Sequence, residues 1–390
     1  MNKNTNEFTD FLSLGIDEKF IQKLNKLNIT VPTEIQQKAI PLILKKSNLM
    51  FESETGTGKT LAYLLPLVQN LENNLLPEDK IIILSPTYEL SSQIKTTANL
   101  ITELKSSLFI GGTPIKRQIE ALKEKPHIIT GNPSRILELV HLKKLKTQNI
   151  KALVLDEADR LISSEIIEET RKLIQLLPCD IQFVACSATL SISAKRILSG
   201  FRANIQEIIL PKDNVLSNKI THYALFAEAR DKISVLKSFL LAENPEKALI
   251  FTSRADQVEN IAAKLQFKKI DCLSLHAKSD KKMRKAAIDK FKSGKCRFLV
   301  TSDLASRGLD IQGITHIIQM DLPSNEDFFV HRAGRTARAG KTGINVVIGD
   351  EYEMRKYASL EKKFALTVHP KMLYKGKLVN PQDVQGDDIP

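Results

Sequence analysis

The chain has 390 residues, 42% of them apolar, enough to bury two or three cores at roughly 100 to 200 residues per domain. Apolar stretches such as Leu61 to Val68 are broken by Pro66 or by charge well short of the roughly 18 residues a membrane helix needs, which excludes a spanning segment. Lys and Arg number 57 against 45 Asp and Glu, a net charge of +12, and that balance favours a polyanionic partner.

The N-terminus lacks the apolar region of a secretory signal, so a cytoplasmic protein is expected. Cys179, Cys186, Cys272 and Cys296 form neither the C-x-x-C pairs of a zinc site nor a disulfide framework, and read as small buried apolar residues in a reducing compartment. Residues 1–210 carry 26 basic and 23 acidic side chains and the remainder 31 and 22, so the second half is the more basic. Aromatic residues make up 6% and Trp is absent. A surface of base-stacking rings is therefore a poor fit, and a grip on nucleic acid through its backbone is expected.

From the N-terminus onward, short apolar runs alternate with amphipathic stretches of helical length. In the first half they are 49–51, 81–84, 128–129, 152–155 and 183–185. They are too short for helices and apolar on both parities, as strands covered on both faces must be. The second half repeats the arrangement at 248–251, 272–275, 298–300, 314–318 and 345–348. That alternation predicts an α/β fold in each half. Residues 210–219 mix Pro, Asp, Asn and Ser without apolar periodicity and read as a linker, and the last twenty residues as a short, partly ordered tail.

The sharpest local signal is S-E-T-G-T-G-K-T, residues 53–60, placed between a strand and a helical pattern as a phosphate-binding loop requires. Gly56 and Gly58 let backbone N–H groups wrap phosphate oxygens, Lys59 reaches the β and γ phosphates, and the Thr60 hydroxyl suits Mg²⁺. The strict pattern has Gly where this chain has Ser53, and for the loop alone a chance glycine turn is the alternative. About one hundred residues on, A-L-V-L-D-E-A-D sets three carboxylates at a strand end, where clustering calls for a cation or a shared proton. Asp156 is the natural Mg²⁺ partner and Glu157 the group to orient and deprotonate an attacking water; acidic capping of a following helix is the plain alternative. In H-R-A-G-R-T-A-R, residues 331–338, helical spacing predicts Arg332, Arg335 and Arg338 along one side. They read either as a solvated basic face or as arginines for transition-state charge.

D-E-A-D at 156–159, S-A-T at 187–189 and the 331–338 run make the chain resemble the DEAD-box RNA helicases, and the match covers nearly the whole chain in family order. Phe11 and V-P-T-E-I-Q at 31–36 resemble the family's upstream Q motif. The resemblance implies an α/β fold of two tandem RecA-like domains, each a mostly parallel sheet covered by helices. The expected boundaries are 1–209 for the ATP-binding domain, 210–219 for the linker, 220–370 for the second domain and 371–390 for the tail. It implies an ATP-dependent RNA helicase that uses ATP and Mg²⁺, closes on RNA and opens short duplexes locally. An RNA clamp or annealing factor with weak unwinding, and a DNA translocase on the same plan, are the rivals. RNA is the implied partner, ribosome-assembly or RNA-decay proteins are candidate recruiters, and a monomer suffices.

By the same resemblance, Phe11, Ile29, Gln36, Ser53, Glu54, Thr55, Gly56, Thr57, Gly58, Lys59, Thr60 and Asp310 hold ATP, with Gln36 reading adenine and Ile29 packing on its ring. Thr60 and Asp156 hold the metal. Glu157, Asp156, Arg335 and Arg338 serve hydrolysis, while Ser187 and Thr189 link the Asp159 region to His331. Pro86, Thr87, Gly111, Gly112, Asn132, Pro133, Arg135, Arg284 and Ser302 face RNA. The chain departs from the family pattern at Tyr88, Asn132, Ser134, Ala277, Lys281 and Ala337, and Tyr88 replaces a cationic phosphate ligand.

Overall fold

The computed structural model describes residues 10–53, 56–74, 76–210, 215–276, 281–303, 311–337 and 341–384. The chain divides into two compact units, 1–211 and 212–390. Among the described residues no helix is long and apolar enough to cross a membrane.

The first unit is built on seven strands: β1 (Leu49–Glu52), β2 (Lys80–Leu84), β3 (Ser106–Phe109), β4 (Ile128–Gly131), β5 (Ile150–Asp156), β6 (Gln182–Ser187) and β7 (Gln206–Ile209). They lie in the order β3-β4-β2-β5-β6-β1-β7, and every pairing is parallel. Side chains alternate between two cores, as a sheet covered on both faces demands. Ile81, Ile83, Val154 and Val184 enter one core beneath the helices Glu34–Leu44 and Lys59–Asn73. Ile82, Leu84, Leu153, Leu155 and Phe183 enter the other. Truncating one of these to Ala costs about 2–5 kcal/mol.

The second unit carries β8 (Ile220–Phe226), β9 (Ala248–Thr252), β10 (Leu273–Leu275), β11 (Phe298–Ser302), β12 (His316–Gln319), β13 (Gly343–Gly349), β14 (Val368–Tyr374) and β15 (Lys377–Val379). Their order is β10-β11-β9-β12-β13-β8-β14-β15, and the last pair alone is antiparallel.

Each apolar run read from the sequence overlaps a strand, although 272–275 and 314–318 begin before β10 and β12 do, and five strands carried no such signal. β3 and β7 are sheet edges with polar residues (Ser106, Ser107, Gln206, Glu207), β8 carries the polar pair Thr221 and His222 near its start, β14 is interrupted by His369, Pro370 and Lys371, and β15 spans three residues. Residues 371–379, expected in a tail, therefore extend the second sheet through β14, β15 and the pairing of β14 with β8. In the expected linker, 211–214 lie outside the described residues, and Val215–Asn218 forms a helical turn with Leu216 buried in the second unit. Three cysteines are buried as expected, whereas Cys179 is exposed in the turn after the helix Ile167–Leu176.

Candidate functional site

Because β1 to β7 run parallel, their C-terminal ends share one edge, where open α/β sheets bind ligands. β1 delivers the chain through Ser53 and the glycine loop into the helix Lys59–Asn73. Gly56 and Gly58 hold φ of 84° and 89°, the left-handed region that glycine favours. A Cβ on Gly58 would lie 2.4 Å from Gln36 Nε2. The two residues are joined directly: Gln36 Nε2 donates to the Gly58 carbonyl at 3.1 Å, and its Oε1 accepts from the Thr33 amide at 2.9 Å. One hydrogen and one lone pair of that amide remain, the pair that adenine N7 and N6–H₂ require.

Lys59 Nζ donates to the Ser53 carbonyl at 2.5 Å, and the Ser53 and Thr57 hydroxyls are 2.6 Å apart. The Ser53 hydroxyl thus closes the loop where the strict pattern has glycine. Glu54 and Thr55 lie outside the described residues. Ile29 is half-buried against the same core. Phe11, expected at the nucleotide, is 2% exposed and packs in the same core among Leu14, Ile16 and Phe20.

β5 and β6 supply the acidic part. Asp156 is buried, and its carboxylate accepts from the Tyr63 phenol at 2.8 Å, the Glu157 backbone N–H at 3.0 Å and the Cys186 thiol at 3.4 Å. Burial pushes its pKa above the usual carboxylate range, opposed by the Lys59 ammonium. Burial likewise pushes Tyr63 and Cys186 well up, so both stay protonated donors. Glu157 sits in the left-handed region at φ 55°, a conformation costing roughly 1–2 kcal/mol for a residue with a side chain. The Ser187 hydroxyl donates to Asp159 at 2.5 Å, which makes the D-E-A-D end of the expected link. Thr189 Oγ1 is buried with no hydrogen-bond partner among the described residues.

These residues fit a nucleotide-borne Mg²⁺. The Asp156 carboxyl is held in a dry setting where a divalent cation would favour its charged form, and Thr60 lies in the first turn of the helix whose Tyr63 bonds to it. Among the described residues, no cluster of three His, Cys, Asp or Glu could cage a metal by protein ligands alone, and Mg²⁺ on a triphosphate needs none.

The neighbouring strand ends, β3, β4 and β2, gather the expected RNA-facing residues. Thr87 caps the helix Tyr88–Ile101 by accepting from the Leu90 amide, and Asn132 precedes the helix Pro133–His141. Pro86 and Thr87 follow β2, Gly111 and Gly112 follow β3 on the surface, and Tyr88 is exposed. Two helix N-termini thus share this edge, a setting that favours phosphate. Asn132 Oδ1 is buried with no hydrogen-bond partner among the described residues. Arg135 does a different task from the expected one: its guanidinium donates to the Thr113 carbonyl at 2.8 Å and pairs with Glu138 at 2.9 Å, holding the Gly111–Gly112 turn.

In the second unit, the helix Glu326–Ala333 ends before Arg335, which lies buried in the following turn. The expected single arginine face is therefore not formed. Arg332 shows why. Its Nε and Nη2 donate to Asp303 at 2.6 and 2.7 Å, Nη2 also to Ser253 Oγ at 2.8 Å, and Nη1 to the Asp321 carbonyl at 2.7 Å and Gln319 Oε1 at 3.3 Å. All five N–H groups are engaged, so Arg332 locks the ends of β9, β11 and β12 together and has no donor left for phosphate. His331 occupies the last turn of the same helix, and Arg284 is half-buried on the helix Lys281–Lys292. Ser302 is 3% exposed, with Oγ unpartnered among the described residues. Asp310, Arg338 and Ala277 lie outside the described residues. Ala337, at a position where the resemblance calls for Gly, takes φ 56°, which explains that preference.

The hydrogen bonds of Tyr63 and Cys186 to Asp156, and the pairing of Arg332 with Asp303 and Asp321, went unread in the sequence. Only Tyr63 carried a signal, four residues after Lys59 and therefore on the same helical face.

A glycine loop, an acidic strand end and paired α/β units define an ATP-hydrolysing enzyme of the tandem RecA-like class. The family model described as DEAD/DEAH box helicase matches residues 33–197, and that described as Helicase conserved C-terminal domain matches 231–340. The DEAD-box ATP-dependent RNA helicase CshC of Bacillus cereus is 36% identical over 352 residues, covering 89% of each chain. The probable ATP-dependent RNA helicase YfmL of Bacillus subtilis is 34% identical over 368 residues, 93% of this chain and 96% of the relative. The solved structure of S. cerevisiae Dbp5 bound to RNA and ADP BeF3 is similar at a TM-score of 0.82 and 25% identity, covering 93% of this chain and 96% of that one. The chain belongs to the DEAD-box ATP-dependent RNA helicase family.

Proposed function

We propose that this chain couples ATP hydrolysis to closure on RNA and to local, non-processive opening of short duplexes or remodelling of RNA–protein complexes. The observation carrying this reading is the division of one sheet edge. The ends of β5, β6 and β1 bear Asp156, Ser187 and the glycine loop, and the adjoining ends of β3, β4 and β2 bear the exposed glycines and helix N-termini.

In this mechanism Gln36 selects adenine, and the loop amides with Lys59 hold the phosphates. Thr60 and Asp156 would hold Mg²⁺, which when bound neutralises charge on the β and γ oxygens. Glu157 orients a water and takes its proton as the oxygen attacks the γ-phosphorus, so ADP leaves with phosphate. Arg335 and Arg338 stabilise charge on the γ oxygens, and Asp310 takes the ribose. RNA favours the closed state that brings these groups to ATP, so the two ligands bind cooperatively. Asp159, Ser187, Thr189 and His331 transmit closure. Pro86, Thr87, Gly111, Gly112, Asn132, Pro133, Ser302 and Arg284 line the path of one strand, held through phosphates and 2′-hydroxyls. Loss of the γ-phosphate weakens closure and releases RNA. A monomer suffices, and ribosome-assembly or RNA-decay complexes are fitting partners.

The exposed, uncharged Tyr88 favours a second reading in which the enzyme clamps or anneals RNA with weak unwinding. ATP turnover measured with RNA, with DNA and with no polymer tests the first claim: equal rates in all three would remove it. Strand displacement on short duplexes separates the two readings.

A further inference from the structure

A file of buried polar side chains crosses the second sheet. Arg332 Nη1 donates to Gln319 Oε1 at 3.3 Å, and Gln319 Nε2 to Asn345 Oδ1 at 2.8 Å. Asn345 Nδ2 lies 3.2 Å from His222 Nδ1 and 3.3 Å from the Tyr357 hydroxyl, which is itself 3.2 Å from Nδ1. His222 Nε2 ends the file 2.7 Å from the Leu216 carbonyl. Gln319 and Asn345 are wholly buried and His222 is 1% exposed. The neighbouring strands β12, β13 and β8 supply the three side chains, and the register sets Asn345 beside His222.

The two ends impose one sense on every bond. A guanidinium only donates and a carbonyl only accepts, so each amide has one allowed orientation, and His222 is the tautomer that donates from Nε2 and accepts at Nδ1. All hydrogens then point from Arg332 toward Leu216, an arrangement in which each bond polarises the next. Cohesion alone does not account for it, since apolar side chains at interior strand positions stabilise as well or better. The near end is the hub three residues before Arg335. The far end is the helical turn Val215–Asn218, the first described segment after 211–214.

We propose that Gln319, Asn345 and His222 are positioning residues for ATP hydrolysis, holding the Arg332 hub, and through it Arg335, in register with the helical turn Val215–Asn218 of the second unit. The inference rests on the proposed part of Arg335 in catalysis. None of the three touches the nucleotide.

RNA-stimulated ATPase of the full chain tests it, measured well below the melting temperature of each variant. His222→Leu, Asn345→Leu and Gln319→Leu should each lower kcat roughly tenfold and leave KM for ATP within about twofold. His222→Gln, which keeps a donor for Leu216 and an acceptor for Asn345, should stay within about twofold of wild type. The double variant His222→Leu with Gln319→Leu should lose no more than either single change. Full kcat in all three Leu variants, or a Gln variant as slow as the Leu one, overturns the relay and leaves a packing role that moves only the melting temperature. If wild-type turnover ignores RNA, the proposed function falls instead. The relay is then judged by unfolding: additive shifts in Tm for His222→Leu and Gln319→Leu, residues separated by β13, would overturn it.

Discussion

Along the C-terminal edge of the first sheet, the half built by β5, β6 and β1 differs in kind from the half built by β3, β4 and β2. In the first, Asp156, Ser187 and Gln36 are buried, each bound to named partners at fixed distances. In the second, Gly111, Gly112 and Tyr88 are exposed, and one arginine serves to hold a turn. The contrast follows from the chemistry each half performs. Phosphoryl transfer gains from groups aimed in advance at developing charge, whereas a nucleic-acid backbone can be held by many interchangeable donors. The chain accordingly departs from the expected residue types on the nucleotide half only at Ser53, whose hydroxyl closes the glycine loop, and on the other half at Tyr88, Asn132 and Ser134.

The contrast can be broken most directly at Glu157. Glu157→Gln should lower RNA-stimulated kcat by roughly 10²–10⁴-fold, with nucleotide affinity little changed; robust turnover would remove Glu157 as the base. Gly58→Ala forces a Cβ against Gln36 in a left-handed conformation, and should weaken ATP binding about tenfold by titration with a fluorescent analogue. An unaltered affinity would mean that the Gly58–Gln36 contact is incidental.

Asp156→Asn removes a charge whose burial is unfavourable without a cation. The new amide can donate to the Tyr63 oxygen once that hydroxyl turns. The nucleotide-free protein should therefore melt a few degrees higher, a gain of about 1 kcal/mol, although hydrolysis is lost. A lower Tm would show that the hydrogen bonds from Tyr63 and Cys186 outweigh desolvation. The smallest change belongs to the other half: Tyr88→Arg should steepen the salt dependence of RNA affinity by about one phosphate contact. An unchanged slope would place residue 88 away from the strand.

What could be read without coordinates followed from how local the signal is. A glycine loop between a strand and a helix, or carboxylates closing a buried strand, each occupy fewer than ten consecutive residues. Central strands announced themselves because both faces are apolar. Edge strands β3 and β7 did not, since half of each faces water and their pairing depends on what lies beside them. The arginine run misled for a related reason. Spacing by three implies one helical face, yet the helix stops at Ala333 and Arg332 turns inward to Asp303 and Asp321, partners 29 and 11 residues away in the chain.

Residue order alone thus establishes the two α/β units, the nucleotide chemistry and the family, because those depend on short patterns that fold locally. Folding in three dimensions assigns Phe11 to the core, Arg135 to a loop clamp, Arg332 to a saturated hub and residues 371–379 to the second sheet. These assignments turn on which distant groups satisfy a buried ring, a guanidinium or a strand edge, and no pattern of neighbours in the chain carries that information.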